Sequence, residues 1–363
     1  MTRFAFLSAC LPWLLLGCSA SSTTHHDPRQ VLLESWGEDV ILSNYELFVK
    51  RSEAFADSAQ AMCDEPSAES LGAARAAWSS AREAWKWNDV IKFGPYREQP
   101  LALGSKLDFW PPRPDAVQEV FAGDVELDDE ALDTVGAPAR GMPASELLLW
   151  DSEDAPEEAF ASDGRRCEYL LALAADQVSL AEEMYDAWSP DGGNYVAELT
   201  DPENGEMFGD LKGALSEIVN RMAFALEDMR GDKLGRPLGE QSGGTPQPDL
   251  LESRPSARSI QDLSDTLTGI ERIYFGAEKP KSAKGLSDYI STQPRDFNQE
   301  MADHLDACHA ALAAIDPLER AIEEDADGVV AAENCLADLQ TFIQVDIVNE
   351  LGLTVSLNDA DGD

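Results

Sequence analysis

Ala139-Arg140-Gly141-Met142-Pro143-Ala144-Ser145-Glu146-Leu147-Leu148-Leu149-Trp150 is the stretch from which the rest of the chain can be read. Glycine- and proline-rich sequence runs into it, and an apolar run leaves it. Proline fits a first helical position, because its ring presets φ and its missing N–H would be unpaired there anyway. The stretch therefore predicts a helix that begins at Pro143 and carries Glu146 in its first turn. A carboxylate in that place sits near the positive end of the helix dipole and can accept from free N–H groups. Two readings stay open. Glu146 caps the helix, or the loop–proline–helix start holds one carboxylate at the rim of a cleft.

Outward from this point, apolar residues recur at helical spacing almost everywhere. Ile41, Tyr45, Phe48, Phe55, Ala59 and Met62 fall on one stripe, with Ser52 its only polar member. Leu71, Ala74, Trp78, Ala81 and Trp85 form the next, with Trp78 and Trp85 sharing a face and expected in the core. That second helix is expected to stop at Phe93-Gly94-Pro95. Residues 96–140 read as irregular, with a short helix from Asp115 to Phe121. Cys167 to Trp188 is a long amphipathic stripe, halted by Ser189-Pro190-Asp191-Gly192-Gly193.

Beyond that break, stripes run from Phe208 to Met229, Ile260 to Tyr274, Phe297 to Ile315 and Val329 to Leu351. Lys233 to Gly239 is expected to break the first of these, and 241–248 to be a flexible loop. Nothing alternates convincingly at period two, so no strands of consequence are expected. Phe93-Gly94 and Phe275-Gly276 form a two-residue echo between the halves. The expected class is all-α: two helical-bundle domains of about four main helices each. Their expected bounds are 31–190 and 191–358, with an acidic tail at 359–363.

The chain has 363 residues, enough for two ordinary domains, and at 44% hydrophobic content it is not a disordered acidic tail. Lys and Arg number 27 against 69 Asp and Glu, a formal charge of −42. Such a surface is wrong for nucleic acid, whose phosphates need clustered bases, and for anionic lipid. It suits solvation, cationic ligands or metal ions.

The first residues read as a targeting leader. Arg3 supplies the charge and Phe4 to Leu16 a short apolar run. The run is too short for an ordinary membrane-spanning helix. It ends in Leu15-Leu16-Gly17-Cys18, which resembles a bacterial lipobox. That resemblance implies a signal peptide over 1–17, lipidation of Cys18, and a polar tether over 18–30. Membrane attachment through Cys18, in the cell envelope, facing the periplasm and at the outer membrane given Ser19, is the expected location. Four cysteines then remain, and an even number in an exported chain reads as disulfides. Three pairings are open. Cys63–Cys167 with Cys308–Cys335 keeps each bond inside one half and is preferred, with buried free thiols as the alternative.

The central stretch resembles the signature segment of the imelysin-like family, the M75 group of peptidases. There the pattern is Gly-x-His-x-x-Glu followed by apolar residues. Gly141 and Glu146 match, and Pro143 stands at the histidine position. Similar segments recur along most of the chain: Ala76 to Pro95, Leu107-Asp108-Phe109-Trp110-Pro111, Lys233 to Gly239, Ser256 to Asp262 and Leu351 to Asp363. The resemblance implies an all-helical fold with a cleft between bundles, an envelope location and a role in iron uptake.

Chemistry has few candidates. Only His25, His26, His304 and His309 are available to metals, and no zinc-peptidase or nucleophile-elbow motif occurs. His304 and Cys308 are four apart but do not make a convincing ligand pair. Irregular segments could instead converge on Glu146 with Asp108, Gly141, Pro143, Lys233, Arg258, Ser259 and Asp262. Arg258 suits a carboxylate, or merely pairs with Asp262 on a surface; Ser259 suits a helix cap. Glu146 and Asp108 could hold a hard ion such as ferric iron through oxygen. The resemblance, with the lipobox and the acidic surface, implies a ligand- or metal-binding accessory of iron-uptake machinery, without nucleic-acid contact. A metallopeptidase and a non-catalytic envelope interaction protein are the alternatives. The ending Asn358 to Asp363 is half of a calcium loop and reads as a frayed acidic terminus.

Overall fold

The computed structural model describes residues 27–356, except 112, 124–126, 128–131, 133, 151–155 and 316. The expected leader, Cys18, most of the expected tether and the expected acidic tail lie outside the described residues. The last residues assigned to the tether are structured. Asp27 accepts from the Arg29 N–H and caps helix α1 (Pro28–Ser35), so residues 28–30 are already helical.

Helix α1 passes through a wider, π-wound turn at Trp36–Leu42 into α2 (Ser43–Asp64). A capping box of Ser67 and Ser70 starts α3 (Ala68–Lys86). After a one-turn α4 (Leu103–Leu107) come α5 (Gly141–Trp150) and α6 (Gly164–Trp188). Helices α2, α3, α5 and α6 pack on one another. A second group packs likewise: α7 (Leu211–Asp228), α8 (Ser259–Phe275), α9 (Phe297–Ala313) and α10 (Ala326–Thr341). The first segment crosses over. Helix α1 packs on α7, and the Trp36 indole N–H donates to the Ile273 carbonyl at 2.8 Å. Among the described residues there is no strand.

The apolar stripes form the core, with Phe48, Phe55 and Trp78 fully buried and Trp85 nearly so. Each such side chain contributes about 1.5–3 kcal/mol of transfer free energy. Ser52, the polar exception, is met by the Gln177 amide of α6 at 3.0 Å. The disulfides are Cys63–Cys167, joining α2 to α6, and Cys308–Cys335, joining α9 to α10.

Two helix ends differ from the expectation. Helix α3 stops at Lys86 rather than at Phe93, because Asn88 folds back onto the Ala84 carbonyl and the chain turns. Phe275-Gly276 does end α8, so the two-residue echo does not mark equivalent positions. Lys233 to Gly239 ends α7 only at its last residue. The helix continues π-wound through Met229–Gly235 to Leu238, and only Gly239, at φ 99°, stops it. The loop at 241–248 is bracketed by short 3-10 turns.

The bonds close loops separated by 104 and 27 residues, respectively. Chain-entropy arguments give about 5 and about 3–4 kcal/mol. Denaturant unfolding of the two paired Cys→Ser variants is expected to show the larger loss for Cys63/Cys167; an equal or reversed order would contradict the entropic account.

Candidate functional site

The start of α5 is built into the first bundle before any site forms. Gly141 has φ 73°, and a Cβ there would collide with the carbonyls of Lys106 and Leu107 on α4. Arg140 makes a two-pronged pair with Asp176 of α6, at 2.7 and 2.5 Å. Trp78 donates its indole N–H to the Met142 carbonyl at 3.2 Å. At the other end, Arg75 and Arg166 donate to the last carbonyls, Leu149 and Leu148. This helix begins at Gly141, not Pro143, so Glu146 falls outside its first turn and does not cap it. That corrects the capping alternative.

Glu146 instead reaches the second half of the chain. Its Oε1 accepts from the Ser256 N–H at 2.9 Å and the Ser256 hydroxyl at 2.6 Å. The loop that brings Ser256 there holds Ser253 and Ala257 at φ 48° and 55°, a backbone that costs non-glycine residues free energy. Burial pushes the Glu146 carboxyl up to about 7, against the Ser256 hydrogen bonds and the charge of Arg82.

Beside it lies a buried seam of charge. Arg82 of α3 is 1% exposed, and each of its guanidinium nitrogens meets a different carboxylate. Nη1 lies 2.7 Å from Asp108, Nη2 3.1 Å from Glu252 and Nε 2.9 Å from Asp262. Burial opposes the Arg82 charge, but the three carboxylates hold it firmly protonated. Asp108 also accepts from Trp85 Nε1 at 2.9 Å, and Asp262 from Ser253 Oγ at 2.6 Å. Arg258 reaches Asp262 at 2.9 Å and also Asp265, so the expected surface pair exists but is buried. Glu252 bridges onward to Lys233 at 3.0 Å and Lys86 at 3.3 Å. Burial raises the Glu252 carboxyl, yet Lys233, Lys86 and Arg82 bring it well below the usual carboxylate range. Lys233 rests over the Trp110 ring, 3.8 Å from its centre, and burial lowers its pKa.

Asp108, Pro143 and Glu146 line one small cavity with Trp78, Trp110 and Arg82. Arg258 and Asp262 join it through Arg82, and Lys233 through Glu252. Ser259 does not fit its expected role. It lies inside α8, and its hydroxyl donates to the Glu252 carbonyl instead of capping. The two expected metal ligands have other partners in this structure. Asp108 is already paired with Arg82, and Glu146 sits on two donors with a raised pKa. Cys308 is oxidised, and His304 stacks on Phe342, 5.1 Å between centres. Among the described residues no three His, Cys, Asp or Glu side chains gather as a metal group.

The sequence reading missed Arg82, Lys86, Trp110 as a wall, Glu252 and Ser256. Arg82 carried a signal: it lies four residues after Trp78, on the buried face. Glu252 stands in a loop and carried none.

The family model Peptidase_M75, Imelysin, matches residues 41–344. The chain belongs to the imelysin family. Iron-regulated protein A of Synechococcus elongatus is 25% identical over 316 residues, covering 84% of this chain and 83% of that protein. Two solved structures share the fold. An imelysin-like protein from Psychrobacter arcticum 273-4 superposes with TM-score 0.74 at 18% identity, covering 91% of this chain and 97% of its own. A protein provisionally assigned as an iron-regulated protein A precursor, from Parabacteroides distasonis ATCC 8503, gives 0.75 at 19%, with the same coverage. This imelysin-family chain therefore has an all-helical fold shared across those proteins, with Pro143 next to its buried glutamate.

Two measurements test the site. Arg82→Met leaves three buried carboxylates without their shared cation, and is expected to cost about 3–5 kcal/mol in urea unfolding; a loss under about 1 kcal/mol would contradict the seam's role. Glu146 is raised from 4.5 to about 7, so the folded chain keeps a proton the unfolded chain has lost across that window. Its stabilising contribution is full below pH 4.5 and is lost as pH rises through about 7, roughly 3 kcal/mol in all. Between pH 5 and 8, Glu146→Gln should lose less stability than the native chain; parallel curves would count against this.

Proposed function

We propose that this imelysin-family protein is a bacterial envelope accessory of iron acquisition, which binds an oxygen-rich ligand at the seam between its bundles. One observation carries the reading. The Trp110 indole N–H is buried without a hydrogen-bond partner among the described residues, and Trp110 lines the cavity with Glu146 and Asp108. An unmet buried donor costs about 1–3 kcal/mol, which a ligand oxygen would recover. Glu146, poised near neutrality, can donate to or accept from the same ligand. Arg82 and Lys233 add positive charge around it. The cavity is only about 10 Å³, room for about one water-sized group, so a chelate would meet these residues through a single carboxylate or hydroxyl oxygen, with its body outside.

The link to iron comes from the name of the Synechococcus relative, iron-regulated protein A. The Cys18 lipobox supports a lipid anchor, facing the periplasm from the outer membrane. Among the described residues no helix is long and apolar enough to cross a membrane. We take 31–190 and 191–358 as the two domains, with α1 reaching across to the second. No observation favours the metallopeptidase alternative: Pro143 replaces the family's histidine, and the nearby carboxylates are committed to Arg82 and Ser256.

Calorimetry with ferric citrate and with haem is expected to detect binding that Trp110→Phe and Glu146→Gln each weaken about tenfold. Fractionation is expected to move the protein from membranes to the soluble envelope fraction on Cys18→Ala. Absence of binding to both probes would remove the ligand reading; an unchanged membrane fraction would remove the anchor.

A further inference from the structure

A second cavity lies elsewhere along the meeting of the two halves and shares no lining residue with the one at Glu146. Its volume is about 170 Å³, with Lys92, Tyr96 and Arg97 on one side and Arg221, Phe224 and Asp228 on the other. That is the space of roughly six liquid waters, enough for a small organic molecule.

Its walls are held in place before any ligand arrives. The Tyr96 ring stacks on Trp85, 5.8 Å between centres and 17° between planes, and packs closely on Gly104. Arg221 is fixed by Glu217 at 2.6 Å and lies over the rings of Phe93 and Phe224. Lys92 sits between Asp228 at 3.3 Å and Asp89 at 3.7 Å, and Asp89 also touches Lys86. Burial opposes the Lys92 charge, but Asp89 and Asp228 keep it protonated.

Lys92 lies between Asp89 and Asp228, Lys86 is shared between Asp89 and Glu252, and Arg221 pairs with Glu217. Arg97 stands apart from these pairs. It is exposed, and its side chain has no ion-pair or hydrogen-bond partner among the described residues. Neighbouring Glu98 is turned away, accepting from the Gly94 N–H and the Tyr195 hydroxyl. One guanidinium without a direct partner among the described residues thus stands at a cavity with aromatic and apolar walls, on a chain whose formal charge is −42.

We propose that this cavity binds a small planar monocarboxylate, its carboxylate on Arg97 and Lys92 and its flat body between Tyr96 and Phe224. A forked guanidinium suits a carboxylate, and one unpartnered fork takes one such group. The site is independent of the ligand reading at Glu146, since it uses other residues.

Benzoate and its neutral counterpart benzamide are the probes, titrated into the full protein by calorimetry and ligand-observed NMR. Benzoate is expected to bind and benzamide to bind at least tenfold more weakly. Arg97→Gln should weaken benzoate about tenfold, and Arg97→Lys should restore part of the loss. Both variants should fold, because Arg97 is exposed and unpaired. Equal binding of the two probes, no benzoate binding at millimolar concentration, or native affinity in Arg97→Gln would each overturn the assignment. Displacement of benzoate by an equal concentration of inorganic phosphate would overturn the preference for a carboxylate.

Discussion

Arg82 holds the two halves of this protein to one geometry. Its three nitrogens reach Asp108 from the first half and Glu252 and Asp262 from the second, with almost no exposure to water. Taking those charges out of water is costly, and mutual attraction repays it only when each group is well placed. The arrangement is therefore a demand on geometry more than a source of stability. The bundles cannot slide on one another without leaving a buried charge unmatched.

Everything at the seam follows from that demand. Glu252 passes the pairing to Lys86 and Lys233, and Asp262 passes it to Arg258. The loop carrying Glu252 and Ser253 also carries Ser256, whose N–H and hydroxyl then face Glu146. Glu146 is held from its own side by Gly141, Arg140 and the arginines at the far end of α5. Its carboxyl is consequently buried between halves, where desolvation rather than a charged partner governs its proton. The π-wound extension of α7 serves the same seam, since it brings Lys233 onto Trp110 and Glu252.

Much of this was present in the residues. Stripes such as Phe48 with Phe55 and Trp78 with Trp85 name the buried faces directly. The disulfides followed from keeping each bond in its own half. Arg82 could have been singled out as a charged residue on the core face of α3. The errors lie near helix ends. Phe93-Gly94-Pro95 is a stop signal, but Asn88 turns the chain earlier through its bond to the Ala84 carbonyl, and in Lys233 to Gly239 only the final glycine stops α7. Glu146 and Ser259 looked like caps because capping is the commonest local use of such residues near a helix start.

The sequence by itself determined the helices, their buried faces and the family pattern around Gly141 and Glu146, because periodicity and backbone restriction act over a few residues. Only the tertiary structure decided who partners whom across the seam. Asp108, Glu252 and Asp262 are separated in the chain by up to 154 positions and carry no mark of their shared arginine. A charge pair depends on distance in space and on exclusion of water, and neither is written in local spacing.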